Sequence, residues 1–248
     1  SLLPFKNKIP SFSSFSTPLL LASFFYILGQ ASLFMMMRHV PASRIAPLLG
    51  LKILILAVIT FFFIGEKLFF MQWMAVAMSL ISAFLLNFSG VSLSFSAISW
   101  LMVACIGYSL SDINIAILVR SISTLSYFKA SVVGVCLSYV FCGILALLIL
   151  LLTGKIRIYS EWKDSFGFAF FWFASMIMLF TCFGTIGALY GNIVQATRGI
   201  ISIIIGVILA RIGYMHIETP ISGRLFFQRI IAALLMIIAI GLFNLGKQ

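Results

Sequence analysis

Asp112 is the residue best suited to chemistry in this sequence, because it is one of only five acidic residues and lies well inside an apolar stretch. A charge at such a position requires a partner, a water-filled cavity or protonation. Tyr108 lies one helical turn earlier and Ser111 lies beside it. We expect Asp112 and Tyr108 to bind an organic amine or to take up a proton. The alternative is an acid near the end of a tilted helix that reaches lipid headgroups.

Lys52 is a cation in the middle of another apolar stretch, residues 45–64. In a helix over that stretch its position would lie about 11–12 Å from either end. Its flexible stem could bring the ammonium part of the way to a headgroup. Alternatively, Lys52 faces a central cavity as a counter-ion to Asp112 or to an anionic ligand.

A polar face is predicted on an earlier helix, where Ser23, Tyr26 and Gln30 follow the spacing i, i+3, i+7. Thr181 and Thr185 occupy the matching turns of a later helix when the two segments are aligned. Two such faces would converge on one binding site near the middle of a bundle. The alternative for each hydroxyl is a bond to the backbone of its own helix.

Two arginines, Arg44 and Arg198, lie at the starts of two helices that match each other in the same alignment. We interpret them first as anchors at the membrane surface and second as gates or anion contacts, so that Arg198 is also a candidate binding residue. Gly187 and Gly191 have the GxxxG spacing that lets helices approach closely. Glu66 is interpreted as a structural cap, and the four cysteines as packing residues.

The elements that must position these residues are membrane-spanning helices. Of 248 residues, 63% are apolar and 8% are charged, against about 45–50% and about 25% in soluble domains. The apolar residues form blocks near the length of about 20 residues that a helix needs to cross a bilayer. The net charge of +11 is spread along the chain, without the clustered basic surface of a nucleic-acid-binding protein. Soluble enzymes and nucleic-acid-binding domains are therefore excluded.

Eight candidate spanning segments follow from these blocks, and we label them A to H. They are A (Pro18–Met37), B (Ile45–Ile64), C (Leu68–Leu86), D (Ala97–Val119), E (Phe128–Leu152), F (Phe166–Tyr190), G (Ile193–Ile212) and H (Leu225–Leu245). The connections include Gly65–Lys67 between B and C and Gly191–Asn192 between F and G.

An internal repeat relates segments A, B and C to segments F, G and H. Three landmarks match in order: Gly29 with Gly184, Ala42–Arg44 with Ala196–Arg198, and Leu68–Phe70 with Leu225–Phe227. Because H is the fifth span after C, an odd number, the two copies must be inserted upside down relative to each other. Inverted repeats of this kind are typical of secondary transporters.

Segments D and E have no counterparts in the first copy, so the repeat predicts two further helices before Ser1 and a protein of ten spans. We expect residues 1–90 to be the last three spans of a first repeat, and residues 91–248 to be a complete second repeat of five spans. The alternative is a protein of eight spans with a degenerate first half.

The stretch Pro41–Gly50, followed by Phe63–Glu66 and Met71–Trp73, resembles a helix signature of the EamA branch of the drug/metabolite transporter superfamily. The resemblance implies an all-α integral membrane protein, a helical bundle of two inverted five-helix repeats. It also implies the carriage of small metabolites, often their export, across a bacterial inner membrane.

A secondary transporter that works by alternating access is therefore the leading hypothesis, with a lipid or lipid-precursor flippase of the same fold as the alternative. The expected partners are a small-molecule substrate and the lipid bilayer, with proton coupling or exchange left open. An enzyme is disfavoured, since the two histidines, His39 and His216, form no HExxH motif. We expect no metal site and no cofactor. We expect charge-neutral replacement of Asp112 or Lys52 to abolish transport.

Overall fold

Every regular element in the described part of the chain is a helix, so the predicted all-α fold class is confirmed. The computed structural model describes residues 11–38, 49–65, 68–87, 94–122, 126–153, 162–195 and 223–246. Its α-helices are α1 (Phe12–Met37), α2 (Lys52–Ile59), α3 (Phe70–Asn87), α4 (Phe95–Ser121), α5 (Tyr127–Thr153), α6 (Trp162–Ile186), α7 (Ala188–Gln195) and α8 (Gly223–Leu245).

Four segments among the described residues are long and apolar enough to cross a membrane. They are Phe12–Met37, Phe95–Ser121, Tyr127–Ile149 and Phe166–Ile186, within α1, α4, α5 and α6. Phenylalanines 166, 168, 170 and 171 on α6 are each at least 60% exposed. An exposed apolar surface of this kind would cause aggregation in water. It is the surface expected of a helix that faces lipid.

Helix α1 begins six residues before the predicted start of segment A. Pro18 was the predicted first residue, but it lies inside the helix, which begins at Phe12. Proline removes one backbone donor and usually ends a helix. Membrane-spanning helices tolerate it because nearby groups satisfy the freed carbonyl.

Segment B is not a uniform α-helix. A 3₁₀ turn over Leu49–Leu51 precedes α2, and a π-helical turn over Thr60–Ile64 follows it. Lys52 is therefore the first residue of the α-helical part. The prediction had placed it in the middle of a continuous α-helix. The segment ends at Gly65, whose φ of 75° is the left-handed conformation common after a helix end.

The predicted boundary between segments F and G at Gly191–Asn192 is wrong. The break lies at Gly187, where φ is 88°, and α7 then runs through Gly191 and Asn192. A left-handed conformation favours glycine because a Cβ atom would meet the following carbonyl. Gly191 instead makes room for the ring of Phe183: a Cβ atom on Gly191 would lie 2.6 Å from Phe183 Cδ1. The rest of segment G, from residue 196, lies outside the described residues.

The chain forms two compact units. The first comprises Ser1–Gln30 and Gly107–Gly191, and the second comprises Ala31–Ile106 and Asn192–Gln248.

In the first unit, α1 and α4 come close at a pair of glycines. A Cβ atom on Gly107 would lie 3.0 Å from both Cα and N of Gly29 and 3.0 Å from the carbonyl oxygen of Phe25. Close approach at small residues is the usual way in which membrane helices pack. Near this contact the Ser111 hydroxyl donates to the carbonyl oxygen of Ala22 at 2.9 Å. In the same unit, α5 packs against α6.

In the second unit, α3 packs along α8, and the two helices run antiparallel, because the end of α8 lies against the start of α3. Gly246, just after the end of α8, lies against Gln72 in the first turn of α3: a Cβ atom on Gly246 would be 3.0 Å from Gln72 Cγ. Gln72 also accepts a hydrogen bond at 2.9 Å from the backbone amide of Phe69, which satisfies a donor at the start of the helix.

We expect Ser111→Ala to lower the free energy of unfolding by about 1 kcal/mol, because it removes a buried hydrogen bond between α4 and α1 and leaves the Ala22 carbonyl without that donor. Ser99→Ala is the matched control, since the Ser99 hydroxyl is exposed and donates to the carbonyl oxygen of Phe95 in its own helix. Thermal unfolding of both variants in detergent checks this. Equal melting temperatures for the two variants would show that the contact between helices contributes nothing.

Candidate functional site

A hydrogen bond between two membrane-spanning helices lies in the first unit. The Tyr108 hydroxyl on α4 donates to Gln30 Oε1 on α1 at 2.7 Å. Both side chains are half-buried. The structure therefore brings together two residues, 78 positions apart, that the sequence places on separate polar faces.

Aromatic side chains extend from this bond. The Tyr26 ring contacts Tyr108 edge-to-face at a centroid distance of 6.3 Å and Tyr139 on α5 at 6.2 Å. The Tyr139 hydroxyl accepts a hydrogen bond at 2.9 Å from Trp172 Nε1 on α6. We call Gln30, Tyr108, Tyr26, Tyr139 and Trp172 the tyrosine row. The row joins four helices, and each of its members combines a polar group with an apolar or aromatic body.

The far end of the tyrosine row is less enclosed than its centre. Phe173 contacts Tyr139 edge-to-face at 6.3 Å. Trp172 is 39% exposed, and its hydrogen bond to Tyr139 is exposed as well. The row therefore extends from the half-buried Tyr108–Gln30 bond to the outer surface of α6.

Asp112 lies one helical turn from Tyr108 on α4 and is buried, with 6% of its surface exposed. Nine residues separate it from the end of α4 at Ser121, so it lies about 13–14 Å from that end at 1.5 Å per residue. Placing an ionised acid at this depth in a bilayer costs free energy. Such acids therefore mark functional sites in membrane proteins more often than structural ones.

Ser23, on the predicted polar face of α1, is buried. Its hydroxyl lies beside the Cys142 thiol of α5, without a hydrogen bond of good geometry to any described residue. Cys142 also lies close enough to Tyr26 to interact with it electrostatically. The face defined by Ser23, Tyr26 and Gln30 thus meets α5 as well as α4.

Thr181 and Thr185 on α6 bond to their own helix. The Thr181 hydroxyl donates to the Ile177 carbonyl at 2.8 Å, and the Thr185 hydroxyl to the Thr181 carbonyl at 2.8 Å. This is the structural alternative raised by the sequence, in which a hydroxyl in an apolar helix satisfies its own backbone. These bonds leave both hydroxyls turned to their own backbone.

Lys52 lies in the second unit, where its Nζ donates to Gln195 Oε1 at 3.4 Å. Its side chain is half-buried. The bond joins the start of α2 to the end of α7. Arg44 and Arg198 lie outside the described residues, as does Glu66.

Tyr139, Trp172, Phe173 and Cys142 are site residues that the sequence did not predict. Each is one side chain in a strongly apolar helix, and none lies on a polar face that matches its counterpart in the repeat. A signal was available in Tyr139 and Trp172, because tyrosine and tryptophan in apolar helices tend to find hydrogen-bond partners. Within the described ranges, no group of three or more His, Cys, Asp or Glu side chains could hold a metal ion.

The site combines aromatic rings with a few polar groups on membrane-spanning helices, and comparison with known proteins finds a family likeness for the first third of the chain. A segment of 87 residues, 2–88, matches the model of the EamA-like transporter family. Residues 2–88 are EamA-like. The EamA family comprises membrane transporters of small solutes, and the chain is a multi-pass membrane protein.

The EamA segment contains α1, α2 and α3, and therefore Tyr26 and Gln30 of the tyrosine row. In a separate comparison with solved structures, 22 chains match this one. One of them, titled "Crystal structure of protein", has a TM-score of 0.50 and 15% sequence identity, over 98% of this chain and 91% of that chain. At this identity the likeness concerns the fold alone. No curated protein matches the sequence at a significant level.

Proposed function

We propose that the protein is a secondary transporter that exports a small metabolite, such as an amino acid, a sugar or a drug-like solute, across the inner membrane by alternating access. The observation that supports this most strongly is the tyrosine row. Transporter sites form near the middle of the bilayer from side chains on several helices. In the row, α1, α4, α5 and α6 each contribute such a side chain.

In this proposal the tyrosine row binds the body of the solute. Tyr108 and Gln30 exchange hydrogen bonds with its polar groups when the bond between them opens. The faces of Tyr26 and Tyr139 contact its apolar part. Small-molecule sites usually combine apolar and aromatic walls with a few polar groups in this manner.

Asp112 supplies the charge of the site. Its carboxylate binds a solute amine directly or binds the proton that is exchanged for the solute. Both roles use its buried position beside Tyr108. They differ in whether transport depends on a proton gradient.

The inverted repeat, residues 1–90 with residues 91–248, remains part of the proposal. Two copies inserted upside down place their last helices in opposite directions, and α3 and α8, the proposed counterparts, run antiparallel. In addition, each compact unit combines segments of both proposed repeats. In an inverted-repeat transporter, exchange of the two copies' conformations opens the site to the other side.

Lys52, Thr181, Thr185 and Arg198 are proposed as secondary contacts. Lys52 would bind an anionic group of the solute when its bond to Gln195 opens. Thr181 and Thr185 would contribute if their hydroxyls turn away from their own backbone. Arg198 would act as a gate or an anion contact.

Counterflow in proteoliposomes tests the proposed function. Vesicles that contain the purified protein are loaded with an unlabelled solute, and uptake of the same labelled solute is measured for a panel of amino acids, sugars and nucleotides. We expect saturable uptake, accelerated by internal solute, for one class of the panel. A rate that never saturates would indicate a channel, and no uptake for any class would reject the carrier.

One observation favours a lipid or lipid-precursor flippase as the second candidate. The Trp172 end of the tyrosine row is exposed on the same helix as the lipid-facing phenylalanines, so an amphipathic lipid could enter from the side. Dithionite quenching of fluorescent lipids in the same vesicles distinguishes the two candidates. Protein-dependent lipid movement without solute counterflow would favour the flippase.

We expect Tyr108→Phe to raise the KM of the transported solute by about tenfold with little change in kcat. The variant keeps the ring that contacts Tyr26 and removes only the hydroxyl, and one hydrogen bond to a polar solute group contributes about 1–1.5 kcal/mol. Initial rates of counterflow over a range of solute concentrations check this. Tyr127→Phe is the control, since Tyr127 is 49% exposed at the start of α5. Equal KM values for the two variants would place the solute elsewhere.

A further inference from the structure

Near the break between α6 and α7, the backbone contacts a residue of a different helix, Arg120 of α4. At Gly187 the chain adopts φ of 88°, α6 ends at Ile186, and α7 begins at Ala188. In an unbroken α-helix the amide of residue 188 would bond to the carbonyl of residue 184. At this point the Gly184 carbonyl accepts a hydrogen bond at 3.1 Å from Arg120 Nε.

Arg120 is well placed for this contact. It lies in the last turn of α4, and its Nη2 atom would lie 3.6 Å from a Cβ atom on Gly187. Its guanidinium therefore reaches the Gly184 carbonyl in the last turn of α6. A cation is also favourable at the negative end of a helix dipole.

The corresponding helix of the first proposed repeat is not broken. Gly29 matches Gly184 in the repeat, so Ser32 matches Gly187. Helix α1 runs without interruption from Phe12 to Met37 through Ser32. The two proposed counterparts therefore have different conformations, and in the broken one an arginine donates to the carbonyl three residues before the break.

We propose that Arg120 is a positioning residue that holds the α6–α7 segment broken at Gly187, and that a second state exists in which Arg120 releases Gly184 and the segment becomes one continuous helix. The inference rests on the proposed function only in one respect: the two states would be the two access states of the transporter. The equilibrium itself is a property of the helix and requires no substrate. Neither Arg120 nor Gly187 touches the solute in this proposal.

Two substitutions shift this equilibrium in the same direction for different reasons. Arg120→Gln removes the charged donor from the Gly184 carbonyl, and a hydrogen bond from a charged group is equivalent to about a tenfold change in an equilibrium constant. Gly187→Ala adds a Cβ atom that disfavours the left-handed conformation by about the same factor. Both should favour the continuous helix. Arg120→Lys keeps a cation and should retain most of the broken form.

Distances between two spin labels measure the equilibrium directly. Labels at Phe170 on α6 and Val194 on α7, in a background without the native cysteines, would lie about 36 Å apart in one straight helix of 1.5 Å per residue. The broken form gives a shorter distance. We expect Arg120→Gln and Gly187→Ala in nanodiscs to raise the ratio of long to short distances about tenfold over the parent. Gly143→Ala, at a position where a Cβ atom meets nothing within 4 Å, is the control.

Unchanged distances in both variants, in protein that remains monodisperse, would overturn the proposal. A lower melting temperature with unchanged distances would also overturn it, since Arg120 would then only stabilise the fold. If Arg120→Gln does not fold, Gly187→Ala decides alone. Failure of the counterflow test would reject the transport function without altering these distances, so the two failures can be distinguished.

Discussion

Asp112→Asn is expected to lower the rate of solute counterflow by about a hundredfold while the protein still inserts and remains folded. A charged side chain near the middle of a spanning helix costs about 2.5–3.5 kcal/mol on insertion scales. The neutral amide is cheaper to insert and keeps the size of the side chain. Loss of transport in a variant that inserts more easily would therefore reflect loss of the carboxylate's chemistry.

The expected size of the effect follows from the burial of Asp112, of which 6% is exposed. Removal of one partner from a desolvated, hydrogen-bonded charge pair typically costs about 2–5 kcal/mol, and about 2.7 kcal/mol corresponds to a hundredfold change. An asparagine can accept a hydrogen bond but can neither pair with an amine nor carry a proton at neutral pH. We therefore expect the loss whichever of the two proposed roles Asp112 has.

Asn114→Ala is the matched control for Asp112. Asn114 lies two residues further along α4, and its side chain donates to the Leu110 carbonyl of the same helix. We expect this variant to transport at nearly the rate of the parent. Normal counterflow by Asp112→Asn would remove Asp112 from the site. The same counterflow assay on Lys52→Ala, for which we also expect a loss of transport, tests the role of the Lys52 charge.

Gly107→Ala is expected to cause the largest loss of stability among single-methyl additions in α4. The added Cβ atom would lie 3.0 Å from backbone atoms of Gly29 and Phe25. Backbone atoms of a helix cannot move aside individually, so α1 and α4 must separate along their contact. Overpacking of this kind costs about 1–3 kcal/mol. We expect a melting temperature lower by about 2–12 °C, at about 2–4 °C per kcal/mol for a chain of this size.

Gly143→Ala makes the same chemical change in α5, where a Cβ atom would meet nothing within 4 Å. Alanine favours a helix over glycine by about 1 kcal/mol, so this variant should melt at the same temperature as the parent or slightly higher. Melting curves of the three proteins in the same detergent decide the matter. If Gly107→Ala were as stable as Gly143→Ala, α1 and α4 could not lie in close contact at Gly107.

The parts of the site that the sequence predicts are those governed by periodicity along one helix. Tyr26 and Gln30 share a face because they are four residues apart, and Tyr108 and Asp112 share a face for the same reason. The bond from Tyr108 to Gln30 could not be predicted, because it depends on which helices are neighbours. That choice depends on the Gly29–Gly107 contact, and Gly107 has no special spacing in the sequence.

The break in α6–α7 illustrates the same limit. Gly184, Gly187 and Gly191 follow one another at short intervals, and any of them could interrupt a helix. The structure uses Gly187 for the break, since Gly184 lies against Val119 and Gly191 against Phe183. These packing partners come from tertiary structure, and local propensity contains no information about them.

The most direct test of the proposed site is protection of Cys142 by the transported solute. Cys142 lies beside Ser23 and Tyr26, next to the tyrosine row, whereas Cys182 on α6 is the comparison thiol. The rate of alkylation by N-ethylmaleimide is measured in single-cysteine proteins, with and without the solute identified by counterflow. We predict that saturating solute slows alkylation of Cys142 severalfold and leaves Cys182 unchanged. Equal rates at Cys142 with and without solute would contradict a binding site at the tyrosine row.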